Sequence, residues 1–149
     1  MAIEGLKIIG ESVNDSVPST KKLFDAGDTD GLLALARLQD EKGAAYIDVN
    51  VGLREPEFMA EMVNKIQGVT AKPLSIDTPD LDIAEAGLEA YDPGRAGGRK
   101  PILNSITALR VEAFNLLDIH PFRPILLISE NVVDGHSQPC HTAEETVQA

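Results

Sequence analysis

Cysteine is nearly absent. The 149 residues contain Cys140 and no other, which excludes an internal disulfide framework and suits a reducing cytoplasm. Tryptophan is missing, and two tyrosines and four phenylalanines are the only aromatics, leaving little with which to stack bases. Positive charge is short as well. Thirteen lysines and arginines stand against 24 aspartates and glutamates, a net charge of −11. That field has the wrong sign for nucleic acid or an anionic membrane surface. No apolar run approaches the roughly 18 residues of a spanning helix, and MAIEGLKIIGES is not expected to be a signal peptide. The expectation is a cytoplasmic protein with no nucleic-acid or membrane partner. What is present is ordinary for a globular chain: 43% hydrophobic and 25% charged residues exclude wholesale disorder, and the length suffices for a domain with its own core.

Five β-rich runs stand out: Leu6–Gly10, Tyr46–Val51, Pro73–Asp77, Pro101–Ile106 and Pro124–Ser129. Three open on proline, a strand position where the missing N–H does no harm. Their centres are almost continuously apolar, as for parallel strands buried on both faces. Helical periodicity fills the gaps. Gly31–Lys42 places Leu32, Leu35, Ala36 and Leu38 together, with Asp30 as expected cap and Gly43 as stop. In Glu57–Gln67, Phe58, Met62 and Ile66 recur every fourth residue beside Met59 and Val63, a stripe that packs on a sheet. Thr78-Pro79-Asp80 opens a helix over Leu81–Ala90, and a weaker one runs from Leu109 to Leu117. Asp92–Lys100 reads as loop, and Thr142-Ala143-Glu144-Glu145 spells a capping box four residues before Ala149.

Strand and helix in alternation predict an α/β fold with right-handed crossovers. Two architectures fit: a five-stranded doubly wound sheet, and the N-terminal part of a (β/α)8 TIM barrel. Both gather function at the carboxyl ends of their strands. Those ends are polar here: Glu11, Ser12, Asn14 and Asp15; Asp48 and Asn50; Asp77 and Thr78; Asn104, Ser105 and Thr107; Ser129, Glu130 and Asn131. Glu11 and Asp15 have the simpler reading of capping helices or tying loops. Asp77 and Asn104 are stronger candidates, because each is read as directly terminating an apolar strand and must find partners when buried. A phosphate would call for a glycine-rich turn or a lysine, which these loops lack. Carboxylates and amides suit instead a fused ring with an amidine-like edge, whose adjacent N–H groups a carboxylate accepts in parallel. Pterins carry such an edge.

The runs IIGESVN (Ile8–Asn14), GAAYIDVNVG (Gly43–Gly52), PLSIDTPDLDIAEAGLEA (Pro73–Ala90) and PILNSIT (Pro101–Thr107) resemble, in order, those of the pterin-binding barrel proteins. The resemblance is closer to the methyltetrahydrofolate:corrinoid methyltransferases and more distant to dihydropteroate synthase. It extends from Lys7 to about Ser129. It implies a partial pterin-binding barrel domain over residues 1–149, a typical barrel being about 250 residues. It further implies an enzyme of one-carbon metabolism. Such an enzyme moves a methyl group between N5 of methyltetrahydrofolate and the cobalt of a corrinoid (cobalamin) carried by a partner protein. By the same resemblance Asp77 and Asn104 hydrogen-bond the pterin ring, while Asn14, Asp48, Asn50 and Ser105 lie on matching signatures at the barrel mouth. The family's further contacts, an acidic residue on strand six and an N5-bonding asparagine on strand seven, have no counterpart in this sequence. Nor does it carry the synthase's T-P-D-S-F loop, where Ser12-Val13-Asn14-Asp15-Ser16 stands, or its G-G-E-S-T-R-P run, where Asn50-Val51-Gly52-Leu53-Arg54 stands.

Four other readings follow from the residues. A phosphoacceptor receiver domain has a similar sheet, but needs an acidic pair after strand one and a lysine ending strand five; Glu11 and Ser129-Glu130 stand there. His136, Cys140 and His141 have zinc-ligand spacing in what reads as a loop after strand five, with loop filler as the default and no metal assigned. His120, before Pro121 in a turn, reads as structural. A partial barrel also exposes open strand edges, an association hazard that predicts a homo-oligomer, an assembly subunit or an inactive fragment.

Overall fold

The computed structural model describes residues 4–148. The strands β1 (Ile9–Gly10), β2 (Tyr46–Val49), β3 (Leu74–Asp77), β4 (Ile102–Thr107) and β5 (Arg123–Leu127) form one sheet, all neighbours parallel, in the order β1-β2-β3-β4-β5. The fold is therefore mixed α/β, as the alternation predicts. Sheet order follows chain order, with no reversal between any two crossovers. The register slips between Asn104 and Ile106, where the Asn104–Ser105 peptide is cis.

The helices are α1 (Pro18–Ala26), α2 (Thr29–Glu41), α3 (Pro56–Gln67), α4 (Leu81–Ala90) and α5 (Ala143–Gln148), with 3-10 segments at Pro93–Ala96 and Val111–Asp118. The core lies between sheet and helices. Ile47, Val49, Leu74, Ile76 and Leu103 of the strands meet Leu32 and Ala36 of α2, Met59, Met62, Val63 and Ile66 of α3, and Ala84 and Leu88 of α4. Helix α4 sits close to the sheet because Gly87 has no side chain. A Cβ there would stand 2.9 Å from Ile76 Cγ2 and 3.0 Å from Met59 Cγ.

Several sequence expectations need correction. The first strand is two residues long, not five, and Leu6 and Ile8 before it are exposed. Strand β5 is exposed along most of its length, against the expected burial on both faces, because it is the sheet's last strand and pairs on one side only. The α2 cap is Asp28, whose carboxylate accepts from Gly31 N at 2.9 Å, in place of Asp30. Helix α1, opened by Pro18, is a further element that the apolar periodicity does not mark. The weak helix near Leu109–Leu117 is the 3-10 segment Val111–Asp118. Beyond β5 lies no loop but an antiparallel hairpin, β6 (Glu130–Val133) and β7 (His136–Pro139), turned at Asp134 and Gly135, both with positive φ. The capping box forms: Glu145 N donates to Thr142 Oγ1 at 3.2 Å, and the Glu145 carboxylate accepts from Thr142 N at 3.1 Å. No described helix is long and apolar enough to cross a membrane.

Candidate functional site

The carboxyl ends of β1 to β4 bring four predicted residues into one rank. Asn14 follows β1 and forms a parallel bridge with Asn50, which follows β2. Asn50 Nδ2 donates to Asp77 Oδ2 at 2.9 Å, and Asn14 Nδ2 donates to the same oxygen at 3.3 Å. Asp77 ends β3 and pairs in register with Asn104 on β4. Both asparagine carbonyls are engaged as well: Asn50 Oδ1 accepts from Gly52 N at 2.9 Å, and Asn14 Oδ1 from Ser16 N at 2.8 Å. Asp77 Oδ1, by contrast, takes no hydrogen bond among the described residues. Asn14, Asn50, Asp77, Asn104 and Ser105 are all half-buried, so each keeps one side open to solvent. Ser105 lies next to the rank, and its hydroxyl makes no hydrogen bond among the described residues.

Asp48 lies one step deeper. It is fully buried on β2, paired in register with Ser75 of β3. Both Asp48 carboxyl oxygens and Ser75 Oγ are buried without a hydrogen-bond partner. Burial pushes the Asp48 carboxyl up to about 7; nearby Ser75 pulls it back, repulsion from Asp77 raises it further, Asn104 pulls it back and Glu11 adds a smaller push upward. A carboxyl that holds its proton up to about pH 7 and the hydroxyl paired beside it thus form a polar floor beneath the rank.

The loops that carry Asn14 and Asn50 are fixed by Arg54, which sequence reasoning missed. Its guanidinium pairs with Asp15 Oδ1 at 2.7 Å and Asp25 Oδ1 at 3.2 Å, and donates to Val51 O at 2.6 Å. It also lies over the Phe24 ring at 4.7 Å and the Phe58 ring at 5.7 Å. Gly52, at φ +66°, lets Asp15 approach: a Cβ there would meet Asp15 Oδ2 at 2.7 Å. Asp15 is therefore a loop tie, as its simpler reading held. Nothing in the local spacing of Arg54 signals these partners, which come from three different elements. Ser75 belongs to the same face, and its signal in the sequence is its place two residues before Asp77 on one strand.

Part of the chain has a named relative. Over 82 residues, 53% of this chain, it is 38% identical to a methylcorrinoid:tetrahydrofolate methyltransferase of Eubacterium limosum. The match spans 30% of that relative's length. No protein-family model matches the chain.

The hairpin does not assemble the zinc site that its residues spell. His136, Cys140 and His141 do not converge as a ligand group among the described residues. Glu145 instead accepts from His141 N at 2.6 Å, and a cavity of about 310 Å3 opens beside Cys140.

Proposed function

We propose that the chain is the N-terminal part of a (β/α)8 barrel and binds the pterin of methyltetrahydrofolate at the carboxyl ends of its strands. The barrel reading is supported by a parallel sheet in strict chain order. A doubly wound sheet reverses order at its ligand-binding switch point, whereas a barrel advances one strand per crossover. The observation that carries the functional reading is Asp77, held through one carboxylate oxygen by two amides while the other oxygen stays free.

That geometry suits an amidine-like edge. Asp77 presents a fixed, free acceptor, and Asn104 beside it offers both a donor and an acceptor. Asn14 and Asn50 each commit one amide N–H to Asp77 and their carbonyl to a loop N–H, so they act through Asp77 as positioning residues. Asp48 and Ser75 form the floor, and Ser105 flanks the ring. The methyl group would pass between N5 of the bound folate and a corrinoid on a partner protein, and the relative's name supports that pairing. The corrinoid supplies the cobalt that accepts or gives the methyl. This chain's residues hold the pterin so that N5 faces the incoming partner, which is a matter of orientation.

The recognition claim is tested by comparing 5-methyltetrahydrofolate with its 2-deamino analogue in equilibrium titrations. The free Asp77 oxygen and the Asn104 amide together face the ring's two donors, and loss of one donor predicts binding weaker by about tenfold or more. Equal affinity for the two compounds would reject the assignment.

A further inference from the structure

Remote from the Asp77 rank, a second group of side chains meets at the amino end of the sheet. Glu85 and Glu89 are one helical turn apart on α4, and His120 lies in the segment that leads into β5. One ligand atom from each of the three lies within 4.8 Å of the others. This is the one such three-residue group among the described residues. His120 Nε2 is buried and has no hydrogen-bond partner, and its nearest carboxylate oxygen, Glu89 Oε1, stands 3.9 Å away. That separation is too long for a hydrogen bond. The two glutamates repel each other at this spacing on a helix. His120 Nε2 therefore lacks a partner, and a single cation supplies one while relieving the repulsion between the glutamates.

We propose that Glu85, Glu89 and His120 form a zinc-binding site that staples α4 to the entry of β5. One imidazole and two carboxylates are a borderline nitrogen and oxygen donor set, which favours zinc over magnesium or calcium. Metal–ligand bonds of about 2.0–2.2 Å in a tetrahedron bring ligand atoms to roughly 3.4 Å from one another. Closing to that distance requires a modest side-chain swing. Glu89 can make it, since its side chain is 62% exposed. His120 is pinned from behind: its backbone N–H donates to Leu116 O at 2.8 Å, and buried Phe122 follows Pro121. Three protein ligands leave a fourth position for water. A cavity of about 370 Å3, lined by Glu89, His120, Tyr91 and Lys100, is there to hold it. Lys100 is the cation facing this cavity, and it makes no ion pair with either glutamate among the described residues.

The test uses the untagged full chain carrying His136→Ala, Cys140→Ser and His141→Ala, which removes the other zinc-type donors after β5. Zinc is titrated in competition with a chromophoric chelator, and thermal unfolding is followed with and without the metal. One zinc per chain and a raised unfolding temperature are expected. His120→Ala and Glu89→Gln should each weaken binding by about tenfold or more. If His120→Ala does not fold, Glu85→Gln on the helix surface carries the same expectation, with circular dichroism as the check of folding. Cobalt(II) gives a second readout, a visible absorption band from a tetrahedral site that is lost in Glu89→Gln. Absence of stoichiometric zinc, or affinity unchanged by these substitutions, overturns the proposal. Folate affinity in these variants stays at the parent value, which separates this outcome from any failure at Asp77.

Discussion

At the residue scale, the candidate site divides into groups that a ligand can reach and groups that hold them. Asp77 offers a free oxygen, whereas Asn14 and Asn50 each donate one amide N–H to its other oxygen. Asp48 makes a separate prediction through its proton. Its carboxyl, raised to about 7 from the ordinary 3.8, keeps a proton in the folded chain that the unfolded chain has already released. Stability therefore falls as pH rises from about 4 to about 7, by an amount on the order of a few kcal/mol. Urea unfolding across that range should show the fall in the parent protein and a flatter profile in Asp48→Asn. Parallel profiles would show that Asp48 ionises freely in the folded state. Asp77 and Asn104 were legible from sequence because each places a polar group on an apolar strand. Ser75 and Arg54 were not, since their importance comes from partners distant in the chain.

At the element scale, the loops after β1 and β2 are tied by one side chain. Arg54 joins Asp15, Asp25, Phe24 and Phe58, so Arg54→Met should cost about 1–3 kcal/mol of stability by losing charged hydrogen bonds. Chemical denaturation measures it, and a midpoint equal to the parent's would show that the cluster is dispensable. The close seat of α4 gives another test. Gly87→Ala forces a Cβ against Ile76 and Met59, and overpacking of about 1–3 kcal/mol should outweigh the better helix propensity of alanine. A stabilised Gly87→Ala protein would contradict that packing. Strand runs and the α3 and α4 stripes were readable because burial imposes a period. Helix α1 was hidden because, within its nine residues, Thr20 and Phe24 alone are buried. The hairpin is poorly marked in the sequence although Asp134-Gly135 is a turn signal, since β6 and β7 are largely exposed and carry little apolar alternation.

At the scale of the whole molecule, sheet order is the property that sequence periodicity could not supply. Alternation of strands and helices is common to singly and doubly wound sheets, and pairing in three dimensions alone distinguishes them. The observed order leaves β1 and β5 as outer strands, with Leu126 at 54% and Leu127 at 45% exposure. Such an edge pairs with other chains, so sedimentation velocity should detect concentration-dependent association that Leu126→Lys reduces. A species that stays monomeric at every concentration would remove the homo-oligomer expectation. The central claim is that the Asp77 rank reads a pterin. Isothermal titration with 5-methyltetrahydrofolate tests it most directly, on the parent chain and on Asp77→Ala. Saturable one-to-one binding is predicted, weakened about a hundredfold, or ~3 kcal/mol, in the variant. No saturable binding by the parent chain, or equal affinity in a folded Asp77→Ala protein, would contradict the claim.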